Sequence, residues 1–440
     1  MQSIVPFAKN NFVSVKQIHN LNLSYIIEEM RPLNTVYKPA FKNLICGIAN
    51  NTSENILPGK SALSTEINKL YKEKKSRLKA LLEKQNYVCL TSDIWSCRNK
   101  SYLGMTIHFI SETLERKSYT LACKRILYNH TYDNIALMMH HILKEFALDV
   151  AKVTHIVTDN ASNFGKVFRC FGVTRFESSD RIQLNVEENE DILNDIEESD
   201  SDIEINETSP NNDIHDHDNA LTDELGDEII LPPQLTCSSH TLNLIATTDC
   251  KKILDNPGNA ALKKVYRSAF AKVSALWNLL SRSTLASDIC FKECGCKFPV
   301  PVITRWNSQF DAIQKLLTRK TKLIILFEQL KLQKLRLHEI EFLEEFVMIM
   351  CPLATSLDIL QGEKMCFLGM IAPTIIILKQ KLSNFTHLSY CKPLVDGMIV
   401  ALEKRFKHIY DFDSPDSKIY IISATQVEHR SHNDIIRISS

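Results

Sequence analysis

The sequence predicts an α/β fold: a mixed sheet with flanking helices, interrupted by a large all-α region. Three observations carry this. Between Tyr87 and Val157 the apolar pattern reads strand, strand, strand, helix, strand. From Asn259 to Tyr410 apolar residues recur almost wholly at spacings of three and four, the helical period. A dense acidic run lies between the two stretches. The division expected is a helical N-terminal region (1–86), a first sheet part (87–176), an acidic segment (177–230), a second sheet part (231–257), a helical region (258–412) and a C-terminal tail (413–440).

In chain order, residues 64–85 carry a helical stripe of Ile67, Leu70, Tyr71, Leu78, Leu81 and Leu82. "KEKK" and Arg77 fall on the opposite face, as a solvated face or a nuclear-import signal. The period then switches to two. "YVCLTSDIWS" (87–96), "YLGMTIHFI" (102–110) and "SYTLACKRILY" (118–128) read as strands joined by short polar links, which suits an antiparallel meander. "DNIALMMHHILKEFAL" (133–148) follows as a helix with Ile135, Met138, Met139, Ile142, Leu143 and Phe146 inward. β-Branched "VTHIV" is a fourth strand, and after a crossover helix it should pair in parallel beside the first. Beyond the acidic run, helices are expected over 259–282, 307–317, 321–336, 339–360, 366–383 and 391–410, with "FPVPVITRWNS" (298–308) as the main break. The tail holds one strand-like run, "KIYIISA".

The 440 residues carry no net charge, but the balance is uneven. Between Glu177 and Glu228 stand 20 Asp or Glu and one basic residue, Arg181, leaving 51 Lys plus Arg against 32 acids elsewhere. An acidic segment this poor in apolar residues is expected to be disordered and able to compete with DNA for the basic remainder. A basic body is what a phosphate-binding surface needs. No stretch approaches the ~20 apolar residues of a membrane span, and the first residues lack a secretory pattern, so a cytosolic or nuclear protein is expected. Thirteen cysteines, an odd count, suit a reduced compartment. Cys290, Cys294 and Cys296 in "CFKECGC" lack zinc-finger spacing and read as free thiols in a loop.

Asp159 stands where the fourth strand leaves the core, just before Asn160, Ser162 and Asn163. Alone, it would read as a helix cap. "LTSDIWS" places a second carboxylate, Asp93, at the middle or end of strand one. Two Asp on adjacent parallel strands can hold divalent cations, and a pair of such ions clamps the oxygens of an in-line phosphoryl transfer. Mg²⁺ or Mn²⁺ suits oxygen ligands, while zinc is not expected.

"LTSDIWS", "HFI", "VTDNASNF", "CSSHTLNLI" and "RWNS" stand in the order and spacing that resembles hAT-type transposases and their domesticated BED-finger relatives. The resemblance spans roughly residues 20–410. It implies an RNase H-like core interrupted by an all-α insertion domain. It also implies that Asp93 and Asp159 are the first two metal-binding acids, and that Cys237 and His240 are the family's C-x-x-H motif. Arg305 and Trp306 match its Arg-Trp pair, whose Trp stacks on a base flipped from the cut DNA end. The plainer alternatives are packing at a helix start for Cys237 and His240, and a core aromatic for Trp306. The polar neighbours of Trp306 suggest partial exposure.

The sequence departs from the family at both ends. The third acid is a Glu in a Ser-rich Glu-Arg motif within a dimerising C-terminal segment, and Glu428-His429-Arg430 imitates it poorly. Glu363 and Glu403 are other acids that could complete the set. No finger is found in residues 1–60. The expectation is a transposase-derived nuclear remnant, truncated before the dimerisation segment, that binds DNA weakly through its phosphates, or protein partners, without cutting. The alternatives are an active metal-dependent transposase or nuclease whose third acid is unrecognised, and an interaction scaffold.

Overall fold

The structure, a computed structural model, describes residues 13–49, 56–113, 115–127, 130–173, 229–302, 306–362, 366–414 and 416–428. The expected acidic disorder therefore lies almost wholly outside the described residues. By backbone packing the chain divides into one unit of 1–87 with 142–152, and a second of 88–141 with 153–440.

The first unit is helical. Helix α1 (Val15–Glu28) starts at a capping box in which Ser14 and Gln17 bond reciprocally. A second helix spans Pro39–Ala49, and a third Lys60–Glu83, four residues earlier than the sequence suggests. Its buried residues are Leu63 and Leu82, whereas Tyr71 is 57 % exposed and does not belong to the inward stripe.

The second unit holds the sheet. Strands β1 (Val88–Cys97), β2 (Lys100–Ile110) and β3 (Arg116–Ile126) form the antiparallel meander. Helix α4 (Tyr132–Glu145) leads on to β4 (Val153–Thr158), which pairs in parallel with β1, and β5 (Gln234–Thr236) adds in parallel outside it. The sheet order is β3-β2-β1-β4-β5. One face of the meander is core: Leu90, Leu103, Met105 and Ile107 are all at most 1 % exposed. The other carries Thr91, Asp93, Trp95, Tyr102, Gly104, Thr106 and His108, because side chains alternate and cross-strand partners share a face. Helix α5 (Ser162–Phe171) follows β4 and buries Phe164, Val167 and Phe168.

From Ser238 onward the described residues are almost wholly helical, around one apolar core running from Leu242 to Tyr420. Three expectations are corrected. "CFKECGC" is no loop: Cys290 and Cys294 lie on the helix Thr284–Cys294, buried, and Gly295 at φ +69° ends that helix in a left-handed cap. "KIYIISA" is no strand but part of α16, the last helix (Ser417–Glu428), since Tyr420 is 4 % exposed in the helical core and Ile422 is 58 % exposed. The helix expected over 321–336 spans only Lys320–Gln329, with Lys331 at φ +54° just past its end. No helix among the described residues is long and apolar enough to cross a membrane.

Inside the helical core one ion pair is fully enclosed. Lys272 Nζ donates to both oxygens of Glu339 at 2.8 and 2.6 Å, and the two side chains are 5 % and 1 % exposed. Glu339 also accepts from Ser268 and from the backbone N–H of Arg336, at the start of the helix Leu337–Gln361. Burial pushes this carboxyl up, but those donors outweigh it and hold its pKa below the usual carboxylate range. A depressed pKa gives stability that is present above the unfolded value, ~4.3, and is lost as pH falls through the folded value. Lys272→Ala should cost about 3–5 kcal/mol in denaturant unfolding, whereas Lys272→Met with Glu339→Leu should restore stability and remove this acid sensitivity.

Candidate functional site

The site begins with strand pairing. The parallel register matches Leu90 with Ile156 and Thr91 with Val157. Carried two residues further, just past the end of β4 at Thr158, this register sets Asp159 opposite Asp93. The two carboxylates interact: partial desolvation raises the Asp93 pKa, and the neighbouring charge of Asp159 raises it further. Asp159 is fixed from behind, since its Oδ1 accepts from the Ala161 N–H at 3.1 Å as the chain turns into α5. The helix-cap reading of Asp159 is corrected: Ala161 is the N-cap of α5 and has no side-chain cap bond, and Asp159 Oδ1 serves the turn before it.

The C-x-x-H segment is anchored to the same strand end. The Cys237 N–H donates to the Thr158 carbonyl at 2.7 Å, and Gln234 Nε2 donates to Thr158 Oγ1 at 2.6 Å. Cys237 is the N-cap of α6 (Ser238–Leu244), accepting from the N–H of Thr241 at 2.9 Å, while Asn160 bonds the Thr241 hydroxyl at 3.2 Å. That geometry puts His240 on the first turn of α6, close enough to Asp93 to lower its pKa against the two raising effects. The Cys237 thiol faces a different neighbour. Burial raises the Cys366 pKa, and Cys237 adds to the rise.

Below Asp93 on the same face, Thr91, Thr106 and His108 form a hydrogen-bonded row, with His108 Nε2 2.9 Å from Thr106 Oγ1. Burial lowers the His108 pKa, and the nearby Arg116 lowers it further. Arg116 also donates to the Cys366 carbonyl, tying the start of β3 to the segment before the helix Ile371–Ser383.

The remaining expected residues are not brought to the pair by any described contact. Arg305 lies outside the described residues. Trp306 is 7 % exposed, stacked on Phe310 at 5.8 Å within the helical core, so the expectation of partial exposure is corrected. Glu363 is outside the described residues, as is the side chain of Glu428, and Glu403 is ion-paired with Lys379 at 2.6 Å. Among the described residues no group of three or more His, Cys, Asp or Glu is arranged to hold a metal ion. Asp93 and Asp159 nonetheless fit as oxygen donors to one hard cation, because two adjacent carboxylates repel until a cation neutralises them. Cys290 and Cys294 fit a metal poorly: burial raises both thiols, Cys294 to about 11, against the thiolate that zinc requires.

A strand, hairpin and crossover that bring two Asp together beside a C-x-x-H helix make a specific arrangement, and known proteins share parts of its sequence. Residues 91–173, which contain both Asp, match the family described as the ZBED1 RNase-like domain. Over 327 residues, 73 % of the chain, the sequence is 25 % identical to the putative AC transposase of Zea mays, and equally so to its putative AC9 transposase. Over these stretches the chain resembles hAT-family transposases. The alignments cover 33 % and 32 % of those two relatives, so the chain spans about a third of their length. The RNase-like match takes in most of β1, all of β2, β3, α4 and β4, and α5, and it ends before β5 and the helical region.

One neighbour of the pair is not evident from motif reading alone. Trp95, two residues beyond Asp93 on the same face, is 40 % exposed. The signal was available: in a period-two strand, residue 95 must share the face of residue 93.

The raised Asp93 pKa has a thermodynamic consequence. The folded protein holds this proton more tightly than the unfolded chain does, so the contribution is favourable below the unfolded pKa, ~3.9, and is lost as pH rises through the folded value. Asp93→Asn should therefore raise the unfolding midpoint at pH 7 and leave it unchanged near pH 3, measured by urea unfolding at both values.

Proposed function

We propose that this chain is a nuclear, transposase-derived DNA-binding protein that holds DNA at its RNase-like domain without cutting it. The observation that carries this reading is the Asp93–Asp159 pair, close enough for each charge to act on the other, with no third acid beside it among the described residues. Asp93 and Asp159 would hold one Mg²⁺ or Mn²⁺, which supplies charge neutralisation for a bridging phosphate. In-line transfer at two metals needs further ligands to fix the second ion and align the nucleophile. The basic remainder, 51 Lys plus Arg against 32 acids outside 177–228, supplies phosphate contacts that carry no sequence information. Protein partners would use the same basic body.

A second reading is favoured by the retained pair and by the relatives' description as transposases: metal-dependent DNA transfer completed by an acid such as Glu363. The two readings separate in one assay. Purified protein is incubated with plasmid DNA and Mn²⁺ or Mg²⁺, beside an Asp159→Ala control. Salt-sensitive, sequence-indifferent binding without nicking is expected, with turnover at least several orders of magnitude below a competent enzyme. Nicking that disappears in the control would overturn the non-cutting reading, and absence of DNA binding would overturn both.

A further inference from the structure

Trp95 and Tyr102 face each other across β1 and β2, with ring centroids 5.9 Å apart and planes at 22°. The six-membered ring of the indole closes on Gly104, the residue directly opposite Asp93: a Cβ at Gly104 would sit 2.6 Å from Trp95 Cζ3. Only glycine leaves room for the ring there. Trp95 is thus held in one place beside the carboxylate by a stack and a close backbone approach, yet it keeps 40 % of its surface in solvent. A large apolar side chain fixed but uncovered is poor economy for a fold and good design for a ligand platform. The chain's other tryptophans, Trp277 and Trp306, are 4 % and 7 % exposed.

The surroundings say which ligand. Lys100 pairs with Cys97 and Arg125 with Tyr102 in the strand register, so both are on this sheet face, and both are exposed. Arg98 stands at the turn between the strands. Cations on this side disfavour a cationic ligand for the ring and favour one that combines a flat π-system with negative charge. A nucleotide of a single strand has both.

We propose that Trp95 and Tyr102 form a stacking platform for an unpaired nucleobase, with Arg125 and Lys100 on the adjoining phosphates, next to the Asp93–Asp159 pair. The inference rests on the DNA-binding reading above and adds to it a position, a preference for unpaired bases and a residue set.

Intrinsic fluorescence tests it in the full chain, because Trp95 is the exposed tryptophan and the other two are buried. Unlabelled dT20, an abasic strand of equal length and a duplex are titrated, with binding followed in parallel by anisotropy of a labelled dT20. The expected result is quenching by dT20, none by the abasic strand and little by duplex. Trp95→Ala should weaken dT20 binding between about 5- and 150-fold and leave abasic binding unchanged, the range for losing one stacked base. Trp95→Phe should recover part of that loss. Gly104→Ala, which displaces the indole without removing it, should lose the quench. Wild-type protein that binds dT20 and the abasic strand equally, without quenching, would overturn the platform and leave the DNA-binding reading standing. No binding to any strand would overturn both.

Discussion

The parallel pairing of β1 with β4 is the constraint on which the rest depends. Asp93 and Asp159 are 66 residues apart in sequence, and only this pairing sets them level. The antiparallel meander is local and could form without α4, whereas a parallel neighbour requires the crossover that α4 provides. Register is as important as pairing. A slip of one residue would turn Asp93 to the face of Leu90 and Leu103, both fully buried, and would expose those residues in its place. The core face therefore fixes the site face, and the hydrophobic alternation that builds the sheet also aims the carboxylates.

The cost of that placement is electrostatic. Two carboxylates share a partly desolvated site, and only a backbone hydrogen bond at Ile94 and the charge of His240 work against the rise at Asp93. The arrangement contrasts with Lys272 and Glu339, where a buried charge is matched by a cation and further donors on all sides. One cluster is satisfied and structural. The other keeps like charges side by side with Asp93 exposed, which is the condition in which a cation or a phosphate-bound metal is held. Trp95 follows the same logic on the apolar side, as a ring held in place without being covered.

Much of the sheet was legible because its signal is periodic. The three meander strands, the α4 crossover and the fourth strand all follow from alternation and from turn residues, and that reading alone places Asp93 on the first strand and Asp159 just past the fourth. The failures share a cause, which is tertiary burial overriding local preference. "KIYIISA" has β-branched residues, yet Ile419 and Tyr420 pack on a helical core and the segment coils. Cys290 and Cys294 look like loop thiols beside Gly295, but the glycine is a cap and the cysteines are core. Trp306 has polar neighbours in sequence and Phe310 in space. The place of Cys237 at the end of β4 could not be read from its spacing, because it depends on a backbone bond to Thr158 across the whole acidic segment.

The central claim is that Asp93 and Asp159 titrate as one coupled pair, and the most direct test is the titration of Asp93 itself. In protein labelled with ¹³C at the aspartate carboxyls, and assigned through Asp93→Asn, the Asp93 resonance is followed against pH in the wild type and in Asp159→Asn. Coupling predicts a wild-type pKa above the ordinary ~3.9 and a clear fall once the Asp159 charge is gone. An Asp93 titration that is the same in both proteins would contradict the pairing, and the site with it.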